Sequence, residues 1–348
     1  MPHDIPRFWR RRTLLSYLLL PLAALFALIT ACRRALYRAG ILRAYRAPVP
    51  VLIVGNISIG GNGKTPLVQA LARALQQEGV AVGIISRGYG GRAVAATDVA
   101  VCPDAAIVGD EPLLLWQSTG APVVVARKRA QAAAKLLHDY PATRLILADD
   151  GLQHYALARD AEIAVIAADF GLGNGFLMPA GPLRERAARL RRVDAVVGSR
   201  AGQGDYPLEY TSDGVRPLNG GALRPLVSLA AAPLYALTAI ARPERFFNSL
   251  RAQGAMLTAT HSLPDHAAIP ADAAAFAGDG NLLISEKDAV KTAAWPEALK
   301  ARTYVVDYRA LLPPELLPAL RRKLGVEMRF TARAAHGTRC SQTPAVAQ

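Results

Sequence analysis

The segment Gly55-Asn-Ile-Ser-Ile-Gly-Gly-Asn-Gly-Lys64-Thr65-Pro66 packs glycines ahead of an adjacent lysine and threonine. Gly60, Gly61 and Gly63 let a backbone turn tightly enough for successive N–H groups, that of Asn62 among them, to converge on phosphate oxygens. In such a loop Lys64 neutralises the β- and γ-phosphates of a nucleotide, and the Thr65 hydroxyl ligates Mg2+. Against the pattern G-x-x-x-x-G-K-[ST] the first position is Ser58, and the three glycines beyond it keep the loop permissive.

A phosphate loop of this kind needs a second, acidic element at the end of a neighbouring strand to organise the metal. Leu145-Ile-Leu-Ala-Asp149-Asp150-Gly151 is an apolar run ending in paired aspartates, with Gln153 and His154 just behind. Three further loops hold reactive side chains. In Gly109-Asp110-Glu111-Pro112, Asp110 is either a base for a substrate hydroxyl or a simple helix start. In Pro179-Ala-Gly-Pro-Leu-Arg184-Glu185, Glu185 can join a metal or substrate shell and Arg184 a phosphate; a helix cap with a charged face is the plainer reading. Ser86-Arg87-Gly-Tyr-Gly-Gly91 can wrap a sugar or phosphate. Pro264-Asp265-His266 and Ser285-Glu286-Lys287-Asp288 stand later in the chain, where a lone histidine is more often structural.

The elements that must position these residues follow from periodicity. Val51–Val54 is a short apolar run that reads as a buried parallel strand, and Leu67, Ala70, Leu71, Ala74 and Leu75 then repeat at helical spacing. Further apolar runs at 82–85, 123–125, 145–148, 163–166 and 195–197 alternate with Ala/Leu/Arg-rich stretches of helix length such as Arg129–His138. Alternation of this kind predicts an α/β fold, a P-loop NTPase-like α/β/α sandwich whose parallel sheet is covered on both faces. Residues 199–226 lack a strong period and read as a link. A second, smaller α/β domain follows, with runs at 235–240, 246–253, 281–285 and 303–306 and a final helix near 314–324. The predicted division is 1–46, 47–226, 227–330 and a disordered tail at 331–348.

The first unit is an N-terminal hydrophobic helix. Leu14–Cys32 carries no charge over 19 residues, and a helix of that length reaches about 28 Å, close to a bilayer core. Arg10, Arg11 and Arg12 precede it and Arg33, Arg34 and Arg38 follow, so the charge on its flanks does not orient it. Pro21 is expected to kink it. A cleaved export signal and a buried core helix are the competing readings; an enzyme that consumes cytoplasmic nucleotide disfavours export, and a membrane anchor is expected. The 41 Lys+Arg against 27 Asp+Glu give a formal charge of +14, which favours anionic lipid or phosphorylated substrates. Neither a zinc-finger nor an RNP-type motif accompanies it, so nucleic acid is not an expected partner, and no obligate protein partner is evident. Cys32, Cys102 and Cys340 are odd in number and widely spaced, which speaks against a disulfide framework. A guanine-reading [NT]KxD is missing, since Ser285-Glu-Lys-Asp288 sets Lys and Asp side by side; a GTPase switch is thereby disfavoured.

Taken in order, GNISIGGNGKTP, SRGYGG, GDEP, DDGLQH, MPAGPLRE, PDH and SEKDAVK resemble the tetraacyldisaccharide 4′-kinase family of bacterial lipid A biosynthesis, over about residues 10–327. The resemblance implies transfer of the ATP γ-phosphate to the 4′-hydroxyl of a lipid disaccharide 1-phosphate at the cytoplasmic face of the inner membrane. It gives Lys64 and Thr65 the phosphate and Mg2+ roles, and puts Asp150, Asp149 and Glu185 around the metal. Asp110 and His266 become a catalytic pair, in a cleft between the two α/β portions. Ala239–Pro243, where the family has a Gly-containing turn, and Leu152, in place of an aromatic, are the departures.

Overall fold

The computed structural model describes residues 6–60, 63–167, 170–198 and 204–325. Gly61, Asn62, Cys340 and the 331–348 tail lie outside the described residues. The apolar runs form β1 (Val51–Gly55), β2 (Val82–Ser86), β3 (Thr97–Asp98), β4 (Val123–Val125), β5 (Leu145–Asp149), β6 (Ala161–Ile166), β7 (Ala195–Gly198) and β8 (Tyr206–Pro207). They make one sheet in the order β3-β4-β2-β5-β1-β6-β7-β8, parallel throughout except for β3 beside β4. Side chains alternate across it. Leu52 and Val54 of β1 and Leu145 and Leu147 of β5 enter one core with Leu67, Leu71 and Leu75 of helix Lys64–Gln77. Val51, Ile53, Ile146 and Ala148 enter the other with Ala132, Ala133 and Leu136 of helix Arg129–Asp139. A strand buried on both faces is why these runs are continuously apolar.

The second sheet holds β9 (Glu209–Pro217), β10 (Leu234–Thr238), β11 (Leu257–Ser262), β12 (Asn281–Ser285) and β13 (Thr303–Leu311), in the order β11-β10-β12-β13-β9. Only β9 is antiparallel, along β13. The chain changes sheet at Leu208, so the stretch read from sequence as a link contains a nine-residue strand. Its polar composition suits an edge with a single partner. Helix Leu316–Leu324 buries Leu316, Leu320 and Leu324 at i, i+4 spacing. They join the core of the first sheet, so the end of the described chain folds back onto β6.

Ahead of the sheets stand helices Leu14–Leu18 and Leu20–Arg38, parted at Leu19. Pro21 lies in the first turn of the longer helix, where its missing N–H costs nothing; the expected kink is instead a break before it. Leu22, Leu25, Leu28 and Ile29 are all more than half exposed, and Ala23 is the helix's single buried residue. That exposure removes the core-helix reading. Among the described residues this helix alone has the length and composition to cross a membrane.

Candidate active site

Parallel pairing of β1 with β5 sets Val54 opposite Asp149, so the glycine loop and the acidic pair leave the sheet side by side. Such a crevice at the carboxyl ends of the strands is where open α/β sheets bind ligands. Gly63, at φ +81°, caps helix Lys64–Gln77; a Cβ there would overlap the Tyr210 hydroxyl of β9. Lys64 Nζ lies 3.4 Å from Asp150 Oδ1, and Arg184 Nη1 lies 3.2 Å from Asp150 Oδ2. Burial pushes the Asp150 carboxyl up, but Lys64 and Arg184 outweigh it and hold the group well below the ordinary carboxylate range. Thr65 follows on the first turn, partly buried.

Asp149 is only 1% exposed, and its Oδ1 has no hydrogen-bond partner among the described residues. Burial and the nearby Glu111 carboxylate raise it, against the pull of Lys64. A buried, unpaired carboxylate oxygen is costly unless a cation meets it. Among the described residues no group of three or more His, Cys, Asp or Glu is arranged to hold a metal ion. Mg2+ does not require one, because it takes one or two carboxylates and fills its shell with phosphate oxygens and water. Asp149, Asp150 and Thr65 therefore fit a metal that arrives with a nucleotide.

Sequence reasoning missed Arg129. This buried guanidinium donates from Nη2 to the Asp149 carbonyl at 2.7 Å and to the Asp150 carbonyl at 3.4 Å. It pins a turn in which Asp150 takes the left-handed φ of +49°, unusual for a residue with a Cβ. Burial lowers its pKa to about 10, against the pull of Asp149 and Asp150. From sequence Arg129 looks like one more arginine at a helix start. His154, behind the same turn, is pushed down to about 4 by burial, with Arg129 and Arg87 adding to the effect.

Glu185 lies among donors. Tyr155 Oη donates to it at 2.7 Å, Gln153 Nε2 at 3.0 Å and Arg34 Nη1 at 3.1 Å. Arg34 belongs to the long N-terminal helix, so that helix is fastened to the Pro179–Glu185 loop. Trp9 Nε1 donates to the Pro179 carbonyl at 2.9 Å and Asn174 Nδ2 to the Phe8 carbonyl at 2.8 Å, fastening the preceding residues to the same region.

Asp110 opens helix Asp110–Thr119 and is 5% exposed. His266 Nδ1 stands 3.0 Å from both carboxylate oxygens. The two residues come from different α/β portions, Asp110 from the first and His266 from the loop after β11. His266 sits at φ +61°, with its N–H bonded to the Ala239 carbonyl at 3.2 Å. The 239–243 turn, unassigned from sequence, thus holds the histidine. Lys287 Nζ lies 3.3 Å from His266 Nε2 and 3.2 Å from Glu111 Oε1. With Lys287 donating to Nε2, the imidazole proton sits on Nδ1 and is donated to Asp110. Burial raises the Asp110 carboxyl, but the bond from His266 and the charges of Lys287 and Lys291 bring it down to about 2. Leu152 is fully buried against Gly55, so that departure is a matter of packing.

A glycine loop between a buried strand and a helix, its lysine beside an aspartate at the end of the adjoining strand, defines a P-loop nucleotide-binding protein. The family model described as tetraacyldisaccharide-1-P 4′-kinase matches residues 15–325. The tetraacyldisaccharide 4′-kinase of Dichelobacter nodosus is 44% identical, over 91% of this chain and 96% of the relative. That of Chromobacterium violaceum is 46% identical, over 89% and 94%. The crystal structure of the "apo" form of LpxK from Aquifex aeolicus in complex with ATP superposes with a TM-score of 0.75 at 26% identity, covering 89% of this chain and all of that one. The chain belongs to the tetraacyldisaccharide 4′-kinase family.

Proposed function

We infer that the chain transfers the ATP γ-phosphate to the 4′-hydroxyl of tetraacyldisaccharide 1-phosphate, a lipid A precursor, with Mg2+ as cofactor. Family membership supports the reaction, and the 3.0 Å pairing of Asp110 with His266 carries the assignment of roles. Asp110 accepts the proton of the acceptor hydroxyl as that oxygen bonds to the γ-phosphorus and the bond to the ADP oxygen breaks. His266 orients the carboxylate through Nδ1–H. Lys64, released from Asp150, follows the β- and γ-phosphate oxygens, and the loop N–H groups of Gly60 and Gly63 cradle them. Thr65, Asp149 and Asp150 would hold Mg2+, which would neutralise phosphate charge. Glu185 orders that side of the site through Gln153. Positioning and charge neutralisation are most of what phosphoryl transfer demands.

The acceptor is a lipid, and the exposed apolar helix Leu20–Arg38 gives the protein a means of meeting it at the membrane. Arg33 and Arg38 toward its C-terminal end, with Arg10, Arg11 and Arg12 ahead of the shorter helix before it, attract anionic headgroups. ATP places the catalytic portion at the cytoplasmic face of the inner membrane. The test is phosphotransfer in detergent: with Mg-ATP the protein should label the lipid disaccharide 1-phosphate, and Lys64→Ala should abolish labelling. Lipid that stays unlabelled under turnover conditions refutes the reading.

A further inference from the structure

The segment Ser285-Glu-Lys-Asp-Ala-Val-Lys291 ends in a lysine to which the reaction as described gives no part. Lys291 is 7% exposed at its side chain, and its Nζ has no hydrogen-bond partner among the described residues. It lies 3.4 Å from Asp110 Oδ2 and 3.6 Å from Asp288 Oδ1. A buried ammonium with unspent donors is expensive, so its place needs a reason. Asp288 does not supply one. Its carboxylate already accepts from Thr238 Oγ1 at 2.6 Å, Ser285 Oγ at 2.6 Å and the Ala239 N–H at 3.0 Å.

Asp110 does supply one. Oδ1 accepts from the Glu111 N–H at 2.9 Å and meets His266; Oδ2 meets His266, then Lys291 at 3.4 Å and Lys287 at 3.8 Å. Lys287 is divided among Asp110, Glu111, Asp265 and His266, whereas Lys291 has, among the described residues, the two carboxylates alone. The groups that face Asp110 are thus His266, Lys287 and Lys291 from the second portion and Glu111 from its own helix.

We propose that Lys291 is a positioning residue for phosphotransfer: its buried ammonium fixes the orientation and charge of the Asp110 carboxylate, so that the base is complete only with the SEKDAVK segment docked on helix Asp110–Thr119. This rests on the reading of Asp110 as the base. Both lysines lie among the groups that lower Asp110. They stand four residues apart, as two side chains on one side of a helical turn do.

The experiment measures kcat and KM for both substrates, with Mg-ATP and lipid acceptor in detergent, for Lys291→Met, Lys291→Gln, Lys291→Arg and Asp110→Asn. Both neutral variants should lose kcat by about 10- to 100-fold with each KM within about twofold, and Arg should regain most of the loss. The acid limb of the neutral variants' rate profile should move up in pH, because one of the charges that hold the carboxylate down is gone. Should the Met variant fail to fold, the Gln variant, which keeps a donor without the charge, carries the same expectation. Wild-type kcat in both neutral variants, a loss confined to KM, or a lower Tm with unchanged kcat overturns the proposal. Wild-type kcat in Asp110→Asn instead overturns the base assignment beneath it.

Discussion

Replacing Asp110 by Asn should change how stability responds to acid, and the size of the change follows from the site. The carboxyl is lowered from 3.8 to about 2 against the cost of burial, by the His266 hydrogen bond and then by Lys287, His266 and Lys291 as charges. That is just under two pKa units, and each unit is worth about 1.4 kcal/mol, so ionised Asp110 contributes about 2 kcal/mol of folding free energy. The folded-state value lies below the unfolded one, so the contribution is complete above the unfolded pKa and is lost as pH falls through the folded pKa. The window is therefore pH 4 to 2. Urea unfolding in detergent at a series of pH values, followed by tryptophan fluorescence (Trp116 lies on the same helix), measures it. Wild type should lose about 2 kcal/mol more than Asp110→Asn across that window, because every other carboxyl titrates alike in both. Parallel curves between pH 5 and pH 2 would refute the claim that the second portion's cations hold this carboxylate.

His154 acts in a different pH window. Its imidazole falls from 6.5 to about 4, mainly through burial, so the unfolded chain takes up a proton that the folded protein refuses. Stability should therefore decline as pH falls from about 6.5 to about 4, and His154→Gln should flatten that slope in the same unfolding series. Gly63→Ala should weaken ATP binding by tenfold or more in calorimetry. A left-handed backbone with a Cβ costs about 1–2 kcal/mol by itself, and the methyl would also meet Tyr210. Wild-type ATP affinity in that variant would show that the loop relaxes freely around the tyrosine.

Much of the first sheet was legible because its strands are buried on both faces. Val51–Val54 and Leu145–Ala148 carry no polar residue, and the turns after them stand out for that reason. β9 and β11 were not legible. Glu-Tyr-Thr-Ser-Asp-Gly-Val-Arg-Pro and Leu-Thr-Ala-Thr-His-Ser are edge strands, each with one neighbouring strand, and neither carries a continuous apolar run. The spacing of Leu316, Leu320 and Leu324 announced a helix, but no local pattern reveals that it crosses back to the other sheet. Within the site, Lys64 and Asp150 were readable because motif and strand end coincide. Arg129, Lys287 and Lys291 were not, because an isolated cation in sequence looks like a solvated one; what distinguishes it is burial beside a carboxylate distant in the chain.

The contact between Lys64 and Asp150 has a consequence for nucleotide choice. The loop lysine has an anionic companion in Asp150, 3.4 Å away. An arriving triphosphate must take Lys64 from Asp150 in an exchange of ion partners. Bare ATP would leave that carboxylate facing like charge, with Arg184 and the more distant charge of Arg129 in compensation. If Asp150 meets the metal as proposed, a nucleotide that brings its own counter-ion would return a cation to it in the same event, and the swap would cost neither side its counter-charge.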